Sequence, residues 1–156
     1  MAGRDVYAVV FENVAVTAAQ DFMSIIAADD RPCELLYVEI GNLTELGDTA
    51  EEQLRISIVR GNTTVGSGGS AFTPLALKEG GLAAGASARI NDTTAASAGT
   101  PVNVYAGAWN VRMPFIWDAT PERSIMVRGT SYLCVRLLAA PTDSITMSGT
   151  MYFAEG

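Results

Sequence analysis

The stretch from Ile145 to Phe153, ITMSGTMYF, alternates strictly between two kinds of residue. Ile145, Met147, Gly149, Met151 and Phe153 carry no polar side chain, whereas the four residues between them all carry a hydroxyl group. Successive side chains of a β-strand point to opposite faces of the sheet. The stretch therefore predicts a strand that buries one face and turns the other outward.

The same alternation recurs in QLRISIVR (53–60) and YLCVRLL (132–138). Less regular alternation predicts further strands at 6–12, 34–43, 86–94, 102–110, 111–117 and 124–128. With 156 residues, 49% of them hydrophobic, the chain has the size of one domain with its own core, spanning residues 1–156. We expect an all-β fold, a two-sheet sandwich of jelly-roll type.

One early segment departs from this pattern. Residues 17–20, TAAQ, match a capping box, and Phe22, Ile25 and Ile26 follow at helical spacing. The sequence therefore predicts one short helix from Ala18 to Ala28, ended by the Asp-Asp-Arg-Pro run that follows it.

The glycine-rich stretch from Gly61 to Gly85 is far longer than the usual connection between strands. It lacks the lysine and following serine or threonine of a phosphate-binding loop, and no helical pattern follows, which excludes a dinucleotide fingerprint. Phe72, Leu75 and Leu77 lie inside it. These apolar residues favour a loop that packs on a neighbouring subunit or surface, and the alternative is a loop folded over its own sheet.

Catalytic chemistry is restricted by the absence of histidine, the side chain most used for proton transfer near neutral pH. The usual serine and cysteine triads are excluded, and two cysteines are too few for a zinc site without histidine. The acid pairs available are Asp29/Asp30, Glu45/Asp48, Glu51/Glu52 and Asp118/Glu122. All lie in turn-like contexts where solvent keeps them ionised, so we expect no enzyme, no metal and no cofactor.

Cys33 and Cys134 stand outside any metal-binding or redox spacing. We expect both to be core thiols, because free cysteine packs as a small apolar residue, and a single disulfide is the alternative.

The chain carries 10 basic and 17 acidic residues, a net charge of −7. Such a surface repels phosphate backbones, so nucleic acid is not an expected partner. No window approaches 18 uncharged apolar residues, so no membrane span is expected. Arg4, Asp5 and Glu12 interrupt the first apolar residues, and the pattern of a signal peptide is therefore not indicated.

Trp109, Phe115 and Trp117 lie close together in the sequence. Core packing is the favoured interpretation, because these rings supply large apolar area. A carbohydrate-binding face is the alternative use of such rings.

Four segments together carry a resemblance: NLTELGDTAEEQLRISIVRG, GSGGSAFTPLAL, FIWDATPERSIMV and SITMSGTMYFAEG. Their order and spacing, from about Val6 to Glu155, resemble small β-sandwich virion proteins encoded among the structural genes of tailed bacteriophages. The resemblance implies a head decoration or cement protein, made in the host cytoplasm and seated as a trimer on the outer surface of the head. Its partner would be the major capsid protein of the same particle.

For such a role we expect partner contacts from the N-terminal strand, the glycine-rich loop and the turn near residue 120. The candidate residues are Val6, Tyr7, Phe72, Leu75, Leu77, Asp118 and Arg123. The alternatives are a carbohydrate-binding or tail-fibre module and a component of the head-tail connector.

Overall fold

The computed structural model describes residues 4–44 and 52–156. These residues form strands together with one 3-10 turn at Pro121–Arg123. In chain order the strands are β1 (Asp5–Val16), β2 (Gln20–Ile26), β3 (Cys33–Asn42), β4 (Gln53–Asn62), β5 (Ser70–Phe72), β6 (Leu75–Ala76), β7 (Ser87–Asp92), β8 (Val102–Asn110), β9 (Phe115–Asp118), β10 (Ile125–Val127), β11 (Tyr132–Leu137) and β12 (Ile145–Glu155).

The strands form two antiparallel sheets. Sheet 1 has the order β10-β3-β12-β1-β6. β9 and β10 pair one after the other with the same edge of β3. Sheet 2 has the order β5-β7-β2-β11-β4-β8. One continuous apolar core lies between them. The predicted all-β, two-sheet sandwich is therefore confirmed.

The strict alternation of the sequence matches the two faces of its strands. In β12, Ile145, Met147, Met151 and Phe153 are all buried in the core, while the hydroxyl-bearing residues between them are only partly buried on the outer face. Gly149 pairs with Phe11 of β1 and leaves room for that ring inside the core. The period-two pattern thus identifies the core face of this strand.

The predicted helix at 18–28 is wrong, because Gln20–Ile26 is strand β2 in the interior of sheet 2, between β7 and β11. Asp21 pairs with Arg136 and Met23 pairs with Val135, so Phe22 is an additional residue opposite β11. This bulge interrupts the two-residue alternation, and the apolar residues then fall at a spacing that imitates a helix. Burial in the sheet outweighs the local capping signal.

Two connections cross the outer face of sheet 2. Residues 63–69 lead from β4 to β5 at the far edge, and residues 93–101 lead back from β7 to β8. These crossing loops run antiparallel to each other and are joined by bridges between Thr64 and Ser97 and between Ser67 and Thr94. This part of the glycine-rich stretch is therefore folded over its own sheet, as the alternative interpretation held.

Glycine is required where the crossing loops approach each other and the sheet. Gly61 and Gly68 have φ angles of +106° and +94°, which L side chains rarely adopt. A Cβ on Gly66 would lie 2.6 Å from the carbonyl oxygen of Thr94, and a Cβ on Gly69 would overlap the carbonyl oxygen of Ile90. The glycines that suggested a ligand loop thus serve close backbone packing.

The rest of the stretch links the two sheets. β5 pairs with β7 at the edge of sheet 2, and β6 pairs with Tyr7 and Ala8 of β1 at the edge of sheet 1. The chain therefore passes around one side of the sandwich.

Candidate interaction surfaces

An ion pair fixes the crossing loops to sheet 2. The Nε of Arg136 on β11 donates to Asp21 Oδ1 on β2 at 2.6 Å. Asp21 Oδ2 accepts the backbone N–H of Ala96 at 2.8 Å, and Arg136 Nη2 donates to the Ala96 carbonyl at 3.1 Å and to Asn62 Oδ1 at 3.2 Å. We call this group of four residues the Asp21–Arg136 clasp.

The charged groups of the clasp are paired with each other and largely shielded from solvent. Asp21 is buried, and the Arg136 side chain is only 16% exposed. Burial lowers the pKa of Arg136, but the hydrogen bond and the charge of Asp21 outweigh it, so the pKa is raised and the guanidinium stays charged. Removal of either partner would leave the other as an unpaired buried charge. Because both partners bond to the backbone of Ala96, the pair also holds the crossing loop in place.

Two other buried carboxylates play similar parts. Glu155, near the end of β12, accepts the N–H groups of Gly85 and Ala86 at 3.0 and 2.9 Å and is contacted by Arg31 at 3.3 Å. Asp92 accepts the Gly69 N–H at 3.0 Å and two bonds from Arg89. Both tie connections back onto the sandwich, and each already binds an arginine and backbone N–H groups.

The pairing of Asp21 with Arg136 was not predicted from the sequence. Asp21 and Arg136 both interrupt apolar strand segments, and that interruption was the only available signal. Their pairing joins residues 115 positions apart in the chain, which strand periodicity does not reveal.

The acid pairs proposed from sequence do not form a site among the described residues. Asp29, Asp30, Asp118 and Glu122 are exposed, as expected. Glu52 accepts bonds from Thr142, whereas Glu45, Asp48 and Glu51 lie outside the described residues. Within 4–44 and 52–156, no three His, Cys, Asp or Glu residues stand close enough together to hold a metal ion. No helix in these same ranges is long and apolar enough to cross a membrane.

Both cysteines are free and buried, in agreement with the core-thiol interpretation. Cys33 lies on β3 of sheet 1, and Cys134 lies on β11 of sheet 2. Burial raises the pKa of Cys33 to about 12, with a smaller contribution from Glu155, and burial also raises the pKa of Cys134. Neither thiol is poised to react as a thiolate.

The candidate contacts around β1 and β6 fall in one region. Leu75 and Leu77 are 50% and 53% exposed, and Leu82 nearby is 70% exposed. All three segments are anchored to the start of β1: Leu75 pairs with Ala8, the Leu77 N–H donates to Val6, and the Tyr7 hydroxyl donates to the Leu82 carbonyl. We call Leu75, Leu77 and Leu82 the leucine patch.

The other candidates of this region contribute less surface. Tyr7 is 1% exposed and stacks on Phe153 inside the core, and its contact with the patch is the hydrogen bond to the Leu82 carbonyl. Phe72 is half-buried against the core, and Val6 is half-buried beside the patch.

Asp118 and Arg123 lie at the opposite edge of sheet 1, away from the leucine patch. Both are exposed. Arg123 lines a groove of about 550 Å³ between β8 of sheet 2 and β9 and β10 of sheet 1. The groove is also lined by Arg60, Val104, Tyr105, Trp117 and Met126. The structure thus divides the sequence candidates between two surfaces.

The tryptophans differ in their surroundings. Trp109 is 5% exposed, packs against Phe22 and Phe115, and donates its Nε1–H to the Met113 carbonyl at 2.7 Å. Core packing is therefore confirmed for Trp109. Trp117 is half-buried in the groove.

A third surface, not anticipated from sequence, lies on the outer face of sheet 1. Tyr37 and Tyr152 stack there with ring centroids 5.6 Å apart, and the Tyr37 hydroxyl donates to Glu39 at 2.9 Å. The hydrogen bond to Glu39, followed by burial, raises the pKa of Tyr37. Next to this pair is an open depression of about 550 Å³ whose lining includes Gly41, Gly149, Ser148 and Thr150.

Comparison with protein-family models, with curated proteins and with solved structures finds no match to this chain.

Proposed function

We propose that this chain is a structural virion protein of a tailed bacteriophage. Within that class we propose a head decoration protein, which binds the outside of the assembled capsid lattice as a homo-oligomer and stabilises the lattice. The resemblance of the four sequence segments implies a trimer and the major capsid protein as the lattice partner. On this proposal the chain is made in the host cytoplasm and performs no catalysis.

The leucine patch is the observation that carries the proposal. Three leucines with half or more of their area in water lie on segments that bond to Val6, Tyr7 and Ala8 of β1. Backbone bonds to β1 hold Leu75 and Leu77, and the Tyr7 hydroxyl donates to the Leu82 carbonyl, so all three segments are fixed to the fold. Clustered apolar area of this kind marks a surface that another protein covers.

The jelly-roll type is part of the same proposal, and strand order supports it. Taken as eight principal strands along the chain, with β9 and β10 as one, sheet 1 holds strands 1, 8, 3 and 6 side by side. Sheet 2 holds strands 2, 7, 4 and 5, which are β2, β11, β4 and β8, side by side in that order. The short strands β5, β6 and β7 are an insertion between β4 and β8. This order supports a double Greek-key sandwich, an architecture used in viral capsid proteins and in lectins.

Charge agrees with a position outside the head. The net charge of −7 disfavours contact with packaged DNA, because phosphate contacts require clustered lysine and arginine. Stabilisation would then follow from linkage: a protein that binds the assembled lattice more tightly than separated subunits shifts the equilibrium toward the lattice by that difference.

Co-sedimentation tests the proposal. The purified chain is mixed with expanded capsids assembled from the major capsid protein of the same phage. We expect saturable binding and a higher melting temperature of the capsid. The double variant Leu75→Ser with Leu77→Ser should bind at least about tenfold more weakly, the effect of about 1.4 kcal/mol of lost apolar contact.

Leu43→Ser is the matched control, because Leu43 is 59% exposed but lies outside the leucine patch. It should bind as the unaltered chain does. If the unaltered chain leaves capsids untouched at every concentration, the proposal is wrong.

A carbohydrate-binding module is the second candidate, and the Tyr37–Tyr152 pair is the observation that favours it. The stacked rings lie on an outer sheet face next to a depression whose polar lining includes Ser148, Thr150 and Glu39. Sugar recognition combines apolar ring faces with such polar groups. Trp109 cannot take this part because it is buried.

Binding across a glycan panel separates the two candidates. The carbohydrate candidate predicts binding to at least one glycan that Tyr152→Ala abolishes and Leu82→Ser retains, because Leu82 is exposed and lies outside the depression. A panel with no binding by the unaltered chain would eliminate it.

A further inference from the structure

Strand β8 forms a long open edge. It pairs with β4 over Val102–Asn110, and among the described residues no strand pairs with its other side. An edge of this kind presents a row of backbone N–H and C=O groups that can pair with another strand. Val102 and Val104 on this strand are 40% and 37% exposed.

The other edges of the two sheets are short or interrupted. β5 has three residues and β6 has two. β9 and β10 are separated by the 3-10 turn that begins at Pro121. β1 extends beyond β6, but it carries a bulge with Asn13 at a φ of 54°, next to the exposed Glu12. Short strands, bulges and charges are the usual means of preventing edge pairing.

β8 lacks most of these protections. Its nine residues, VNVYAGAWN, include no proline and no charged side chain, and its one irregularity is a bulge at Val104, because Tyr105 pairs with Ile58 and Asn103 pairs with Val59. Its middle residues, Ala106, Gly107 and Ala108, are small and allow close approach of another strand.

We propose that β8 pairs antiparallel with β8 of a second copy of this chain, about a two-fold axis at Ala106. In this register Ala106 lies opposite itself and Tyr105 lies opposite Gly107, in the part of β8 that follows the bulge at Val104. Sheet 2 then continues from one copy into the next.

Charge favours a second copy at this edge. Each copy carries a net charge of −7, so approach through most surfaces is repulsive. The edge and its flanks, residues 53–62 and 101–117, contain no Asp or Glu, and their charged residues are Arg55, Arg60 and Arg112. Two copies meeting here bring no acidic side chains of these segments together.

This inference rests on the homo-oligomer of the proposed function and specifies one of its surfaces. A two-fold contact does not replace the contacts of a trimer. Copies joined through β8 alone would form dimers, and trimers joined through β8 would form hexamers.

Cross-linking through a new cysteine tests the register. Ala106 is exposed, and residues directly opposite each other in an antiparallel pair have Cα atoms about 4.5–5.5 Å apart, within disulfide range. Ala106→Cys should therefore form a covalent dimer under mild oxidation. The native Cys33 and Cys134 are buried and do not interfere.

Ala71→Cys is the matched control, because Ala71 is exposed on β5 at the opposite edge of the same sheet. It should remain largely monomeric on a denaturing gel. A second variant, Ala106→Lys, places like charges opposite each other and should lower the native mass to that of the unpaired unit, whereas Ala71→Lys should not.

The outcomes separate this inference from the proposed function. A dimer or hexamer by light scattering, with rapid cross-linking of Ala106→Cys, supports the pairing. A trimer in which Ala106→Cys does not cross-link overturns the β8 contact and leaves the decoration role standing. Capsid binding by a chain that is monomeric at every concentration also overturns it.

Discussion

Asp21 and Arg136 meet across β2 and β11 with 2.6 Å between Oδ1 and Nε, and both also bond to the backbone of Ala96. The crossing loop that contains Ala96 is thereby fixed to the outer face of sheet 2. A buried ion pair here determines where a long connection lies.

Loss of the Arg136 side chain should strongly destabilise the fold. Arg136→Ala would leave the buried carboxylate of Asp21 without its partner, at a cost of about 3–5 kcal/mol in the free energy of unfolding. Urea denaturation measures this value. The exposed Arg128→Ala is the control, with an expected change within about 0.5 kcal/mol. Equal effects of the two variants would contradict the role of the clasp.

Gly69 should not tolerate a side chain, because its Cβ would overlap the carbonyl oxygen of Ile90. We expect Gly69→Ala to lower the free energy of unfolding by about 1–3 kcal/mol. Gly41→Ala is the matched control, since a Cβ there meets no atom within 4 Å. Thermal denaturation compares the two, and an unchanged melting temperature for Gly69→Ala would show that the loop packs differently.

Glu155 should protect the backbone amides of Gly85 and Ala86, just before β7, from hydrogen exchange. Without its carboxylate, the N–H groups of Gly85 and Ala86 lose their acceptor, at a cost of about 1–3 kcal/mol for the buried N–H of Ala86. Glu155→Ala should therefore accelerate hydrogen exchange at the Ala86 amide. Glu79→Ala, which alters an exposed carboxylate in the same connection, should leave that rate as it is. Slow exchange in both variants would argue against this contact.

The two thiols should resist modification in the folded protein. At pH 8 we expect no reaction of either cysteine with a thiol reagent until urea unfolds the chain. The pKa of Cys33 is raised from 9.0 to about 12, so the folded state favours the protonated thiol. The stability that this pKa shift contributes is complete below pH 9 and is lost as the pH rises through about 12.

Denaturation across this pH range checks the sign. The free energy of unfolding of the unaltered chain should fall more steeply above pH 9 than that of Cys33→Ala. A native thiol that reacts at once at pH 8 would contradict the burial of the cysteines.

Strands with strict alternation could be predicted from the sequence because their two faces have different surroundings. β12 contacts the core with one face and solvent with the other, so its residues report the fold directly. β2 could not be predicted in this way. Its bulge at Phe22 disturbs the period, because the consecutive residues Phe22 and Met23 both join the core.

The crossing loops and the contact surfaces depend on pairings between distant residues. Thr64 meets Ser97, and Asp21 meets Arg136, through the arrangement of the sheets and not through any local pattern. Leu75 and Leu77 were selected from the sequence as apolar residues of a long connection, and both are exposed. Their bonds to β1, the exposure of Leu82 and the Tyr37–Tyr152 pair were not predicted.

Electron cryomicroscopy of the virion tests the central claim most directly. We predict density for this β-sandwich on the outer surface of the head, in regular contact with the major capsid protein and with the leucine patch covered. Density for the chain inside the head, on the tail or nowhere in the particle would contradict it.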